Sequence, residues 1–234
     1  MKILKNIITF LLFLGLTFFS CKRDKDPHPT DFGYNYFPIN IGHYVIYQVD
    51  SIWQDDLSKI DTTYSYQLKE LIAASFLDNS NRPTLRIERY YKFYNKNIPY
   101  DSMQWSVPKI WYANRTTSTA ERVEANIRYL KLIFPVQQGK QWDGNVYNMF
   151  GYKKYKIISA DQPESVGAMH FDSVVTVTQA NDKNFVLSQV EQEKFARNVG
   201  LIYKQNDSLT MQGGGNFSDT VGYRFSMKVI EFGK

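Results

Sequence analysis

The sequence is poor in the residues that build metal sites and nucleophilic active sites. It contains one cysteine and three histidines in 234 residues. A single cysteine cannot form a disulfide within the chain. No paired-cysteine, HExxH or EF-hand spacing occurs, and the serine elbow G-x-S-x-G is absent. These absences predict a protein with no catalytic residue, no metal ligand and no bound cofactor.

The few residues that could support catalysis or metal binding are poorly placed for it. Beyond residue 30 the histidines are His43 and His170, for which we expect structural, hydrogen-bonded roles. His170 and Asp172 share one face of a predicted strand, and we interpret them as exposed polar residues rather than as part of a triad. Asp55 and Asp56 are adjacent, so on a strand they point to opposite faces and cannot flank one glycosidic bond.

Long apolar runs are missing except at the start of the chain. Lys2 and Lys5 precede Ile7–Phe19, thirteen residues without a charge. A helix that spans the hydrocarbon core needs about 20 apolar residues, whereas the apolar region of a cleaved export signal has about 7–15. The run therefore predicts that residues 1–20 are a signal peptide.

The four residues that end this segment, Phe18-Phe19-Ser20-Cys21, resemble the lipobox of bacterial lipoproteins, although Phe18 stands in place of the usual Leu. The resemblance implies that Cys21 is the lipid attachment site and the first residue of the mature protein. Each acyl methylene adds ~0.8 kcal/mol of membrane affinity, so two or three chains anchor stably. The alternative is an ordinary secretory signal followed by a chance cysteine. Lys22 and Arg23 follow instead of Asp, which favours the outer membrane.

Residues 21–30 predict a flexible tether, because residues 22–30 contain five charges and two prolines and no apolar side chain that could be buried in a core. Without the signal peptide the chain has 26 basic and 23 acidic residues, which gives a net charge of +3 instead of +5. Both signs are interspersed and no basic block occurs, so we expect no nucleic-acid partner. No further linker follows, and residues 31–234 predict a single domain that buries about 70% of its unfolded surface.

Alternation of apolar and polar residues is the main secondary-structure signal. It is clearest in Leu85–Phe93, where one side is apolar except for Arg89, and it recurs in Phe171–Thr178 and Tyr223–Val229. Period-two alternation indicates a strand with one buried face. Turn residues bound further short candidates, without long helical segments between them. The pattern predicts a mostly β fold, an antiparallel curved sheet or partly open barrel or sandwich, with one or two short helices.

Two segments carry helical signals. Ser118–Glu121 resembles a capping box, yet Tyr129–Phe134 has the character of a strand, so residues 118–130 fit either helix or strand. Ser188–Arg197 has glutamates early and basic residues late, an order that suits the helix dipole. We expect a short helix there.

Two turns share a recipe: Phe37-Pro38 is followed by Gly42 and Tyr44, and Phe134-Pro135 by Gly139 and Trp142. Proline fixes φ and glycine permits positive φ. Each motif therefore predicts a structural corner that starts a new strand, with the aromatic residue packed beneath the turn. Coincidence between two common turn types is the alternative.

Three segments resemble a widespread group of uncharacterised secreted and lipoprotein domains of Gram-negative bacteria: Tyr36–Tyr47, Phe134–Trp142 and Lys194–Lys204. That group typically carries FPL-x-x-G-x-x-W-x-Y near its start and Y-A-x-G-V-G-L-V near its end. His43 and Tyr44 stand where the group often has Asn and Trp. The resemblance implies an all-β envelope domain and assigns no activity.

The surplus of aromatic residues, 16% of the chain, has two interpretations. Most of these side chains fill the core of a β fold. Alternatively, a concave apolar face binds a lipid tail, a glycan or a peptide from a partner protein, and four residues would be the first places to look: Trp53, Trp105, Trp111 and Trp142. The sequence thus predicts a membrane-anchored, non-catalytic binding or scaffolding module. An accessory subunit of an envelope complex and a hydrolase with a dispersed site are the alternatives.

Overall fold

Twelve antiparallel strands form one sheet in this computed structural model, which describes residues 30–211 and 219–234. Strands make up 66% of the described residues, so the predicted mostly β, antiparallel class is confirmed. Cys21 and the predicted signal peptide lie outside the described residues. The strands are β1 Tyr44–Asp55, β2 Ile60–Leu77, β3 Pro83–Phe93, β4 Lys109–Arg115, β5 Thr119–Glu124, β6 Ile127–Ile133, β7 Gln141–Asp143, β8 Lys154–Val166, β9 Met169–Lys183, β10 Leu187–Ala196, β11 Gly200–Met211 and β12 Thr220–Gly233.

The sheet curls until its two end strands approach one another. Its order is β6-β5-β4-β3-β2-β1-β12-β11-β10-β9-β8-β7, so two six-stranded meanders meet where β1 pairs with β12. At the other junction, the Leu130 amide of β6 donates to the Gly144 carbonyl just after β7, at 3.0 Å. Trp142 Nε1 donates to the Leu130 carbonyl at 2.9 Å. The sheet is therefore nearly closed and barrel-like, with one inner face.

The apolar core comes entirely from residues between Tyr36 and Val229. Phe32–Lys234 form one compact unit. Alternation along β1 sends Val45, Tyr47 and Val49 into this core. Full burial of a large apolar side chain contributes about 1.5–3 kcal/mol. The described core thus lies within the predicted domain 31–234.

The predicted helix at Ser188–Arg197 is wrong, because this segment lies in and just after strand β10. Glu191, Glu193 and Phe195 alternate inward along β10, with the period of a strand. The glutamates pair with Lys131 of β6 and with Lys153, which lies just before β8, and not with a helix dipole. In the described chain the helical segments are two 3-10 helices of three residues each, Tyr34–Tyr36 and Tyr100–Ser102. No helix of the described ranges is long and apolar enough to cross a bilayer.

The ambiguous segment 118–130 is strand on both sides of a tight turn. Strands β5 and β6 meet at Ala125 and Asn126, whose φ angles are 49° and 69°. Positive φ at both central residues is the geometry of a two-residue hairpin turn. The apparent capping box belongs to the preceding turn, where Thr116 Oγ1 accepts hydrogen bonds from the amides of Ser118 and Thr119.

The two Phe-Pro motifs form equivalent corners. Gly42 and Gly139 have φ of 88° and 89°, and their amides donate to the carbonyls of Ile72 and Ile157, each at 2.8 Å. In both corners the isoleucine amide donates back to the residue after the glycine, at 2.9 Å. One corner opens the meander β1–β6 and the other opens β7–β12. The predicted positive φ is confirmed at both positions.

The aromatic residues after the corners differ. Trp142 is buried, as expected for a side chain packed beneath a turn. Tyr44 is only half-buried, and its hydroxyl donates to Glu231 Oε1 on the neighbouring strand at 2.8 Å. The prediction that both aromatics pack beneath their turns is therefore wrong for Tyr44, because the hydrogen bond to Glu231 holds its ring against the neighbouring strand.

Candidate ligand-binding site

The walls of the nearly closed sheet differ in height. Strands β1, β2, β11 and β12 have 12 to 18 residues, whereas β4 to β7 have three to seven. We call the end where β1 begins and both Phe-Pro corners lie the lower end. All strands reach it, and the β8–β9 hairpin continues past it. At the upper end, where β1 finishes, the tall wall rises above the short one and leaves part of its inner face open.

The lower end is narrow and mostly apolar. Phe37 and Pro38 cover it, and a Cβ built on Gly200 would lie 3.2 Å from Pro38 Cδ, so the proline ring packs close to that glycine. The cavity left inside measures ≈ 60 Å³. Ligand pockets measure about 300–1,000 Å³, whereas a water needs only about 10–15 Å³. This cavity has room for water but not for a drug-sized ligand.

A belt of buried charges crosses the middle of the inner face. We call it the ionic belt, and it comprises Glu70, Arg89, Arg122, Glu124, Lys131, Glu193 and Lys204. On one wall, Glu70 Oε1 accepts from Arg89 Nε at 2.8 Å and from Arg122 Nη2 at 2.9 Å. Buried charges persist in proteins only when they are paired. Glu70, Arg89 and Arg122 come from three different strands, β2, β3 and β5.

The belt also joins strands that lie far apart in the sheet order. Lys131 of β6 donates to Glu193 Oε1 of β10 at 2.6 Å, and these side chains are 4% and 1% exposed. Lys204 of β11 lies 3.3 Å from the same oxygen, and Lys131 also lies 3.5 Å from Glu124. These contacts hold the two halves of the curled sheet together across its interior.

The cations keep the belt carboxylates ionised. Burial alone would raise the pKa of Glu193, but Lys131 and Lys204 outweigh it and hold that pKa below its usual range. The pKa of Glu70 is lowered in the same way, with Arg122 and Arg89 overcoming the effect of burial. At neutral pH the belt is therefore a set of full charges.

Two polar atoms of the belt have no hydrogen-bond partner among the described residues: Glu193 Oε2 and Arg122 Nε. Arg122 Nε lies 4.0 Å from Glu124 Oε1, which gives Coulomb attraction without a hydrogen bond. Both guanidinium groups lie over Trp111, at 3.4 Å for Arg89 and 5.2 Å for Arg122 measured to the ring centroid. The aromatic ring thus gives both cations a cation–π contact.

Above the belt lies an open groove of ≈ 460 Å³, within the size range of ligand pockets. We call it the aromatic groove, and its lining is Ser51, Thr63, Tyr64, Ser65, Tyr66, Phe93, Tyr94 and Phe225. Tyr64 and Phe93 are each 67% exposed. The rings of Tyr66 and Phe93 lie 5.7 Å apart, and that of Tyr66 lies 5.8 Å from Tyr91 next to the belt. Large apolar side chains left open in a concave surface indicate a binding site.

The four tryptophans proposed as landmarks are divided among different environments. Trp53 lies at the rim of the tall wall, opposite Tyr223 in the strand register, and Trp111 lies in the belt. Trp142 lies at the junction of β6 and β7, which we call the seam. Its Nε1 is hydrogen-bonded to the Leu130 carbonyl there, so Trp142 is not free to bind a ligand. Trp105 lies on the connection between β3 and β4, 4.6 Å from Lys92 Nζ. Only the first two are near the groove and the belt.

The histidines are not brought together. Buried His43 Nε2 is hydrogen-bonded to the Val199 carbonyl at 2.9 Å. His170 lies on the β8–β9 hairpin, with Nδ1 3.2 Å from Ser165 Oγ and Nε2 3.6 Å from Asp172 Oδ1. The Asp172 side chain is fully exposed, and this trio lines neither the lower cavity nor the aromatic groove. Within the described residues no group of three or more His, Cys, Asp or Glu could hold a metal ion.

Comparison with protein-family models, with curated proteins and with solved structures found no match for this chain. The resemblance to the group of envelope domains therefore stays a prediction, and the site rests on its own geometry.

Proposed function

We propose that this chain is a lipid-anchored, non-catalytic binding module of the bacterial cell envelope, whose ligand occupies the aromatic groove. The observation that carries the proposal is the open groove of ≈ 460 Å³ lined by exposed aromatic side chains. Keeping Tyr64 and Phe93 in contact with water costs free energy that a ligand would recover on binding. The paired belt beneath the groove gives it a fixed floor.

The anchoring part of the proposal is supported by the sequence of the first 21 residues. Mass spectrometry of the membrane fraction should show a diacylglycerol-modified N-terminus at Cys21. A Cys21→Ser variant should leave the membrane fraction, because it cannot carry the acyl chains. Equal membrane binding of the variant would contradict anchoring without affecting the groove.

Binding in the groove can be measured with the neutral fluorescent dye N-phenyl-1-naphthylamine and purified residues 31–234. We expect one dye per protein molecule. Phe93→Ser should weaken the affinity about tenfold, since it removes most of an aromatic contact surface. The matched control is Phe76→Ser, an exposed phenylalanine at the opposite end of the hairpin formed by β2 and β3.

Circular dichroism and urea unfolding should show that both variants are folded. The absence of saturable dye binding, or equal losses in Phe93→Ser and Phe76→Ser, would contradict a ligand site in the aromatic groove.

A further inference from the structure

We infer that the ligand of the aromatic groove is a free amphiphile whose anionic group binds Arg89, Lys109 and Lys204, while its apolar part lies against the aromatic rings. This inference rests on the proposed function and adds the chemical class of the ligand. It follows from the charge on the inner face and from the position of that charge beneath the groove.

The ionic belt and Lys109 together carry a surplus of positive charge. The ionic belt holds four cations and three carboxylates, and Lys109 at the start of β4 adds a fifth cation. Five cations against three carboxylates leave two positive charges in excess. The other ion pair near the upper end, Lys153 with Glu191, is balanced. A concave surface with low-dielectric walls focuses the electric field of such charges and thereby attracts anions.

Part of the surplus comes from like charges on neighbouring strands. Arg89 and Lys109 are direct register partners on β3 and β4, an arrangement that is destabilising when nothing bridges the two cations. Arg89 shares Glu70 with Arg122. Lys109 is exposed, with its Nζ 5.4 Å from the centroid of the Tyr91 ring. An anion beside these two cations would relieve their repulsion.

The third cation lies beneath the opposite side of the groove. Lys204 is the register partner of Met227 on β12 and is about a quarter exposed. The phenol of Tyr66 connects it with Arg89: burial raises the pKa of Tyr66, and the nearby charges of Arg89 and Lys204 oppose that rise. One groove residue is thus close to cations from two facing walls.

The arrangement suits a single small molecule better than a membrane surface. Phe93 pairs with Tyr66 and Arg89 with Glu70, so Arg89 lies four residues below Phe93 along β3, and a flat layer of headgroups would meet the exposed rings first. A groove of ≈ 460 Å³ holds one compact ligand with its anionic end inward.

Two dyes with the same scaffold test this chemistry. 8-Anilinonaphthalene-1-sulfonate differs from N-phenyl-1-naphthylamine by its sulfonate. We expect residues 31–234 to bind the sulfonate dye about tenfold more tightly, a difference typical of one charge-assisted contact. Raising the salt concentration should weaken only the sulfonate dye, because salt screens the charges.

Lys109→Gln and Lys204→Gln should each weaken the sulfonate dye about three- to tenfold and leave the neutral dye unchanged. Lys109 is exposed and forms no ion pair with the described residues, so its variant should fold even if the Lys204 variant does not. The control is Lys228→Gln, which removes the same charge from the outer face of β12.

The outcomes separate this inference from the proposed function. Equal affinity for both dyes, or full sulfonate affinity in the Lys109 variant, would overturn the anionic ligand while the groove remains a binding site. Loss of binding for both dyes would overturn the proposed function itself. Cosedimentation with phosphatidylglycerol vesicles that depends on Lys109 and Lys204 would identify a membrane surface instead and would also overturn the inference.

Discussion

The lower and upper ends of the inner face are built from the same strands and yet have opposite properties. At the lower end, Phe37 and Pro38 close the sheet over a cavity of ≈ 60 Å³. At the upper end, the long strands expose Tyr64 and Phe93 around a groove of ≈ 460 Å³. Phe37 and Pro38 narrow the lower end, whereas the longer strands leave the upper end wide. Changes at the lower end and the seam should therefore affect stability, and changes at the upper end should affect binding.

The largest loss of stability should follow from opening the seam. Trp142→Ala should lower the free energy of unfolding by ~3–5 kcal/mol, because it removes a buried aromatic side chain and the hydrogen bond to Leu130. Trp53→Ala at the upper rim should cost under about 1 kcal/mol, since that ring is 49% exposed. Urea unfolding of both variants provides the measurement. Equal costs would contradict the difference between seam and rim.

Breaking the belt should cost nearly as much. Lys131→Met should destabilise the fold by ~3–5 kcal/mol, since it leaves Glu193 buried with weaker compensation. The outer-face control Lys228→Met should stay within about 0.5 kcal/mol. Urea midpoints are the readout. A Lys131→Met protein as stable as its control would mean that the belt does not hold the two walls together.

Acid should weaken the belt in a defined direction. The pKa values of Glu70, Glu124 and Glu193 are lower in the folded protein than in an unfolded chain. Their stabilisation is therefore complete above the unfolded pKa of about 4.3 and is lost as the pH falls through the folded values. Urea midpoints should fall between pH 5 and pH 3, and less steeply in Glu193→Gln. A midpoint independent of pH over this range would contradict the assignment.

A smaller effect is expected at the corners of the lower end. Gly139 has a φ of 89°, and no atom lies within 4 Å of the position that a Cβ would take there. Gly139→Val should therefore cost about 1–3 kcal/mol through backbone strain alone. Gly42→Val should cost the same, because its φ and surroundings match. Thermal unfolding measures both. Dye affinity per folded molecule should be unchanged, and a loss of binding would place the corners in the site.

Much of the fold could be predicted from local patterns, because period-two alternation and turn residues act over a few positions. The strand at Leu85–Phe93 and the positive φ of Gly42 and Gly139 followed from such patterns. The error at Ser188–Arg197 arose because alternating inward glutamates look like the acidic start of a helix. Their real partners, Lys153 and Lys131, lie 38 and 62 residues away in sequence.

The ionic belt was beyond local patterns because its charges come from six strands. Arg89, the one charge on an otherwise apolar strand face, was the available signal. Its meaning depends on Glu70 and Trp111, which reach it only through the register of β2, β3 and β4. The lengths of the strands also decide which tryptophans border the groove. The spacing of tryptophans along the sequence does not encode those lengths.

Nuclear Overhauser effects between N-phenyl-1-naphthylamine and the aromatic protons of residues 31–234 test most directly whether the ligand binds at the upper end of the inner face. We predict contacts from the dye to the rings of Tyr66, Phe93 and Phe225. Contacts to Phe37 and Phe195 at the lower end instead would contradict binding in the aromatic groove.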